Sequence, residues 1–144
     1  MSHDGWEPPG MIVRRAEVSA TRTGLGFMDA IRRYATSSRW ADVVVHRGVA
    51  RWVEVAEDMS LDARGQIVQV LAQVDATLAT IGSDRTQLLQ VIVFVANEQD
   101  GGTLNELWDA WVPAGHPPVR AMVQVGLAKG CKVELAVTAA AADP

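Results

Sequence analysis

The chain has 144 residues, 49% of them hydrophobic, which suits one domain with a packed core. Its 17 acidic and 13 basic residues give a net charge of −4, and no basic run is longer than the pairs Arg14-Arg15 and Arg32-Arg33. Such a surface repels polyphosphate and anionic lipid, so neither nucleic acid nor a membrane is the expected partner.

A single cysteine, Cys131, cannot form an internal disulfide and reads as a small buried apolar side chain. The opening MSHDGWEPPG lacks the basic start and apolar stretch of a secretion signal, so the expected compartment is the cytoplasm. The longest apolar run, VIVFVA at 91–96, has the length of a strand, against roughly 20 residues for a membrane-spanning helix.

Residues 1–28 mix proline, glycine and charge without a sustained period and are expected to form a loosely ordered extension ahead of a domain at 29–144. Gly24 and Gly26 do not follow a strand, so RTGLGF is a poor nucleotide-binding loop. Strands are expected at 31–34, 42–46 and 50–56, the last two joined by a turn at Arg47 and Gly48. Ile67, Val70, Leu71, Val74, Leu78 and Ile81 then line one face of a helix. Ser60 suits its N-cap, Asp62 its first turn and Gly82 its left-handed end. A strand at 88–97 follows, and Leu104, Leu107, Trp108 and Trp111 mark a second helix that Pro113 and Gly115 terminate. Two more strands close the chain.

This order implies an α+β fold with both helices on one face of a single sheet. VIVFVA is apolar at every position, so its other face also needs cover, and a second copy of the chain is the expected source. The alternative is that the N-terminal extension folds over it.

In the last two strands, alternation puts Arg120, Met122 and Gln124 on one face and Lys132, Glu134, Ala136 and Thr138 on one face. Paired as a hairpin about 127–130, these strands would bring Met122 beside Glu134 and Arg120 diagonal to it, on the face left for a subunit contact. Spacing leaves two readings open: an ion pair satisfying two buried charges, or a guanidinium fork held ready for a ligand carboxylate. His3, His46 and His116 do not fall at metal-ligand spacing. Trp52, Trp108 and Trp111 read as packing residues.

The segment PPVRAMVQVGLAKGCKVELAVTAA resembles the C-terminal signature of the RidA (YjgF) family, through Pro118, Arg120, Val123, Val125, Leu127, Lys129, Gly130, Val133, Glu134 and Ala136. The likeness runs back to about residue 30, and WDAWVPAGHPPVR is similar to the YoaB-like branch. It implies a chorismate-mutase-like fold assembled as a homotrimer with clefts between subunits, and an enamine/imine deaminase that needs no cofactor and no metal. By position, Arg120 would bind the carboxylate of a 2-imino acid, Glu134 would position water, and the carbonyl of Met122 would help hold imine or water. Trp40 stands where many active members carry an aromatic hydroxyl, and Val53 and Glu54 stand where S-G-Q is common. Those departures motivate an alternative, a non-catalytic trimer that binds small carboxylates. Ribonuclease activity, a third reading, conflicts with the acidic balance.

Overall fold

A computed structural model describes residues 19–21 and 30–142. Apart from Ser19–Thr21, the expected loose extension lies outside the described residues, and so does RTGLGF. Ser19–Thr21 forms a short strand, β1, antiparallel to β2 (Ile31–Thr36), so this piece of the presumed loose segment belongs to the sheet. β3 (Ala41–His46) and β4 (Val49–Val55) follow as a hairpin. Its two turn residues, Arg47 (φ 49°) and Gly48 (φ 74°), are both left-handed, the turn whose twist matches that of the flanking strands.

Helix α1 (Ala63–Thr80) buries Ile67, Val70, Leu71, Val74 and Leu78, as its spacing requires. Its N-cap is Asp62, whose carboxylate accepts from the Gly65 N–H at 2.8 Å. Ser60 is not the cap; its hydroxyl donates to Asp58 at 2.6 Å instead. Gly82 (φ 70°) takes the left-handed conformation past the last turn. β5 (Leu88–Val95), α2 (Gly101–Trp111), β6 (Val119–Gln124) and β7 (Val133–Ala140) complete the order.

The seven strands form one mixed sheet in the order β1-β2-β3-β4-β7-β5-β6. Only β5 and β6 run parallel, joined by α2 as a strand–helix–strand crossover. This overturns the expected hairpin of the last two strands: β6 and β7 flank β5 on opposite edges and never pair. The cause is the crossover. A helix between β5 and β6 returns the chain parallel beside β5, and residues 125–132 are long enough to carry it across to the free edge of β5. Gln66, fully buried on α1, anchors that passage: its amide donates to the carbonyls of Met59, Leu61 and Gly130 and accepts from the Lys132 N–H.

Both helices lie on one face of the sheet. Val43, Val45, Trp52, Val91, Val93, Val95, Val133, Leu135 and Val137 share a core with Ile67, Val74, Leu78, Leu104, Trp108 and Trp111. Trp52, Trp108, Trp111 and Cys131 are buried, as read from the sequence. On the other face, registers align Val53, Ala136, Ile92 and Ala121 in one row and Val55, Glu134, Phe94 and Val123 in the next. No helix among the described residues covers this second face. Val119 (66% exposed) and Val123 (41%) stand open on it.

Candidate carboxylate-binding site

Arg120 is fixed first by its strand. It stands opposite Val91 on β6, and Val91 stands opposite Val137, so its side chain belongs to the helix side of the sheet. There the sheet ends and α2 lies over its edge. Asn105 and Trp108, three residues apart on α2, project from one side of that helix and both reach Arg120. Nη2 donates to Asn105 Oδ1 at 2.8 Å, and the guanidinium carbon sits 5.3 Å from the centroid of the Trp108 ring. Nη1 is buried and finds no acceptor. Among the described residues no carboxylate pairs with this cation. No sequence signal ties Asn105 or Trp108 to Arg120, because only the parallel pairing of β6 brings α2 over it.

Met122 follows two residues on, on the same side. Its thioether packs at the start of α2, with Cε 2.9 Å from where a Cβ on Gly101 would stand. The Val125 N–H donates to the Val95 carbonyl at 3.0 Å, which turns the backbone groups of the odd-numbered residues of β6 toward β5. Those of Arg120, Met122 and Gln124 therefore point away from the sheet, at its edge. The Met122 carbonyl, two residues along the strand from Arg120, is an acceptor facing outward.

Glu134 lies elsewhere. It is opposite Phe94 on β5 and Val55 on β4, on the face without helices, and is half-buried. Burial holds its carboxyl above the ordinary range. Two strand spacings and a three-residue offset separate its backbone from that of Arg120 by about 14 Å, on the opposite side of the sheet. The expected diagonal pair therefore does not form within one chain, and an ion pair of these two residues inside a single chain is excluded.

Trp40 is half-buried in the turn before β3, where its carbonyl accepts from the Ser37 N–H at 2.8 Å. Four strand spacings put it about 19 Å from β6. Val53 is on the open face, while Glu54 is on the helix side beneath α1, accepting from Thr77 Oγ1 at 2.7 Å and Gln73 Nε2 at 3.0 Å. Burial raises its pKa, against the lowering effect of those two donors. Three strand spacings, about 14 Å, separate Glu54 from β6, so within one chain its charge is not at Arg120. One chain thus presents Arg120 and Met122 together and holds Glu134 and Trp40 apart.

Among the described residues, no group of three or more His, Cys, Asp or Glu is placed to hold a metal ion. No helix among them is long and apolar enough to cross a membrane. Surface hollows of about 280 Å³ beside Ser83 and about 610 Å³ along Arg64 and Val68 both lie away from Arg120.

Residues 27–141 match the family described as Endoribonuclease L-PSP. The RutC family protein YoaB of Escherichia coli K12 is 41% identical over 111 residues, covering 76% of this chain and 97% of that protein. A RutC family protein of Haemophilus influenzae is 34% identical over 112 residues, with 76% and 97% covered. A crystal structure of a YjgF family member from Neisseria meningitidis superposes with a TM-score of 0.76 at 34% identity, covering 81% of this chain and 99% of that one. An uncharacterized protein from Pseudomonas aeruginosa gives a TM-score of 0.75 at 35% identity, with 78% and 99% covered. The α+β sheet and its two helices thus agree with these relatives, and the chain belongs to the endoribonuclease L-PSP family, the group also called YjgF, RutC or RidA.

Proposed function

We propose that the protein is an enamine/imine deaminase acting as a homotrimer, with each active site shared between neighbouring copies. The observation that carries this reading is Arg120: a guanidinium held by neutral contacts, with a buried donor unused and no carboxylate partner among the described residues. Such a fork matches a ligand carboxylate two-pronged. The separation of Arg120 from Glu134 and Trp40 favours an assembly, because a site using all three needs them from different copies. The exposed apolar sheet face offers the surface for it.

In this reading Arg120 binds the carboxylate of a 2-imino acid, R–C(=NH₂⁺)–COO⁻. Water, oriented by Glu134 of a neighbouring copy, adds to the imine carbon, and one of its protons passes to the carboxylate. The resulting carbinolamine takes that proton back on nitrogen, the C–N bond breaks as the hydroxyl gives up its own proton to the departing ammonia, and a 2-oxo acid and ammonium leave. The outward carbonyl of Met122 accepts from the iminium N–H or the water. Imines hydrolyse unaided, so orientation and charge stabilisation suffice without an activated nucleophile.

The test is to generate 2-aminoacrylate in situ and follow ammonia or pyruvate release. Acceleration is expected, with a loss on the order of a hundredfold in Arg120→Ala. Release no faster than the spontaneous rate, or an Arg120→Ala variant as fast as wild type, would overturn it. Trp40, which offers only an indole N–H, favours a second reading: capture of a small carboxylate without turnover. That reading predicts saturable 2-oxo acid binding with no catalysis.

A further inference from the structure

We propose that Trp108, backed by a clasp of Trp111, Arg85 and Asp75, is the positioning residue for Arg120, orienting its guanidinium without spending its charge. This inference rests on the carboxylate-binding reading of Arg120 and extends it to residues that reading does not use.

The parts form a continuous row. The Trp108 and Trp111 rings are tilted at 45° with centroids 5.5 Å apart, and both are buried. Trp111 is held from behind: Arg85 stands 4.9 Å over its ring, and the indole N–H donates to Asp75 at 3.2 Å. Arg85 grips Asp75 with two hydrogen bonds of 2.7 Å and donates from Nη1 to the Trp111 carbonyl at 2.8 Å, near the end of α2. Three elements are thereby pinned: α1 through Asp75, the turn after it through Arg85, and α2 through Trp111. The Trp108 ring has little freedom to move, and Arg120 rests on it.

The order of charges gives the row its meaning. Its one carboxylate, Asp75, lies at the far end and is saturated by Arg85 and Trp111. At the near end Arg120 is held by an amide oxygen and an aromatic face. A carboxylate in either place would orient the guanidinium equally well, but it would neutralise the cation and compete with any anionic ligand. An indole face orients it while leaving its charge and donors for a guest.

The full chain is used, with 2-oxobutanoate as the probe, and two quantities are measured. NMR relaxation of the Arg120 Nε–H without ligand reads how firmly the guanidinium is held; calorimetry reads affinity. In Trp108→Leu the Nε–H should become mobile and affinity should fall roughly tenfold, whereas Trp108→Phe, which keeps an aromatic face, should recover most of both. Asn105→Asp, which keeps the shape, should leave the Nε–H ordered and weaken binding by at least that much, since the new carboxylate competes. If Trp108→Leu leaves order and affinity at wild-type levels, the inference is wrong. If Asn105→Asp binds as well as wild type, the charge-sparing argument is wrong. If wild type binds no 2-oxobutanoate while Trp108→Leu still frees the Nε–H, the positioning role stands and the carboxylate-binding reading falls.

Discussion

Arg120 and Glu134 sit on opposite faces of one sheet, with β5 between their strands. Neither can serve the other within a chain, so a shared site predicts complementation. Arg120→Ala and Glu134→Gln subunits should each be impaired alone, and mixed assemblies refolded at equal ratio should regain about a quarter of the wild-type imine hydrolysis, from interfaces that pair the two intact residues. Mixtures no more active than the separate variants would rule out a site that uses both residues.

The open face supplies the second prediction. Val123, 41% exposed in the single chain, lies in the row of Phe94 and Glu134. In the proposed trimer a charge placed there would be buried by a neighbouring copy without a partner, a large penalty, while costing the isolated fold little. Val123→Asp should therefore shift the mass measured by light scattering from trimer toward monomer, with the far-ultraviolet circular dichroism unchanged. A wild-type chain that already elutes as a monomer at micromolar concentration would remove the assembly itself.

Element order was legible because helix and strand periods differ: Ile67 to Ile81 repeats at three and four, and VIVFVA has no polar gap. Faces within each strand were legible too, since alternation alone groups Arg120 with Met122 and Glu134 with Ala136. What could not be read was which strands are neighbours. Two strands joined by a short glycine-containing loop look like a hairpin, and only the three-dimensional path shows that β5 lies between them. That one topological fact moves Arg120 to the helix side, gives it Asn105 and Trp108 as partners and separates it from Glu134. The surroundings of Glu54 were illegible for a related reason: its neighbours Gln73 and Thr77 come from α1, and nothing local to VEVAED announces them.

The start of α1 separates two candidate caps. Asp62 accepts from the Gly65 N–H, whereas Ser60 only braces Asp58. Asp62→Ala should lower the unfolding free energy by about 1 kcal/mol, and Ser60→Ala by less, since an exposed side-chain bond is lost without leaving a helix donor bare. Urea denaturation of the two variants decides; equal losses would mean that the cap is shared.

Glu54 makes stability depend on pH in a direction opposite to most carboxylates. It is 4% exposed, and burial raises its pKa in the folded chain, with the charge of Asp42 adding to the effect and the donors Thr77 and Gln73 opposing it. An unfolded glutamate titrates near about 4.3. Between that value and the raised folded one, the native state binds more protons than the unfolded state, so stability falls as pH rises through this window. Below it the contribution is fully present. Asp58, Asp84 and Glu106, whose pKa values are lowered by hydrogen-bond partners, pull the other way, but at lower pH and from exposed positions. Glu54→Gln removes the titration while setting an amide against the donor of Gln73, so its absolute stability should drop. The slope of unfolding free energy against pH, from about 4.5 to 7, should be more negative in wild type than in the variant. Parallel slopes would show that the Glu54 carboxyl titrates in the fold as it does in the unfolded chain.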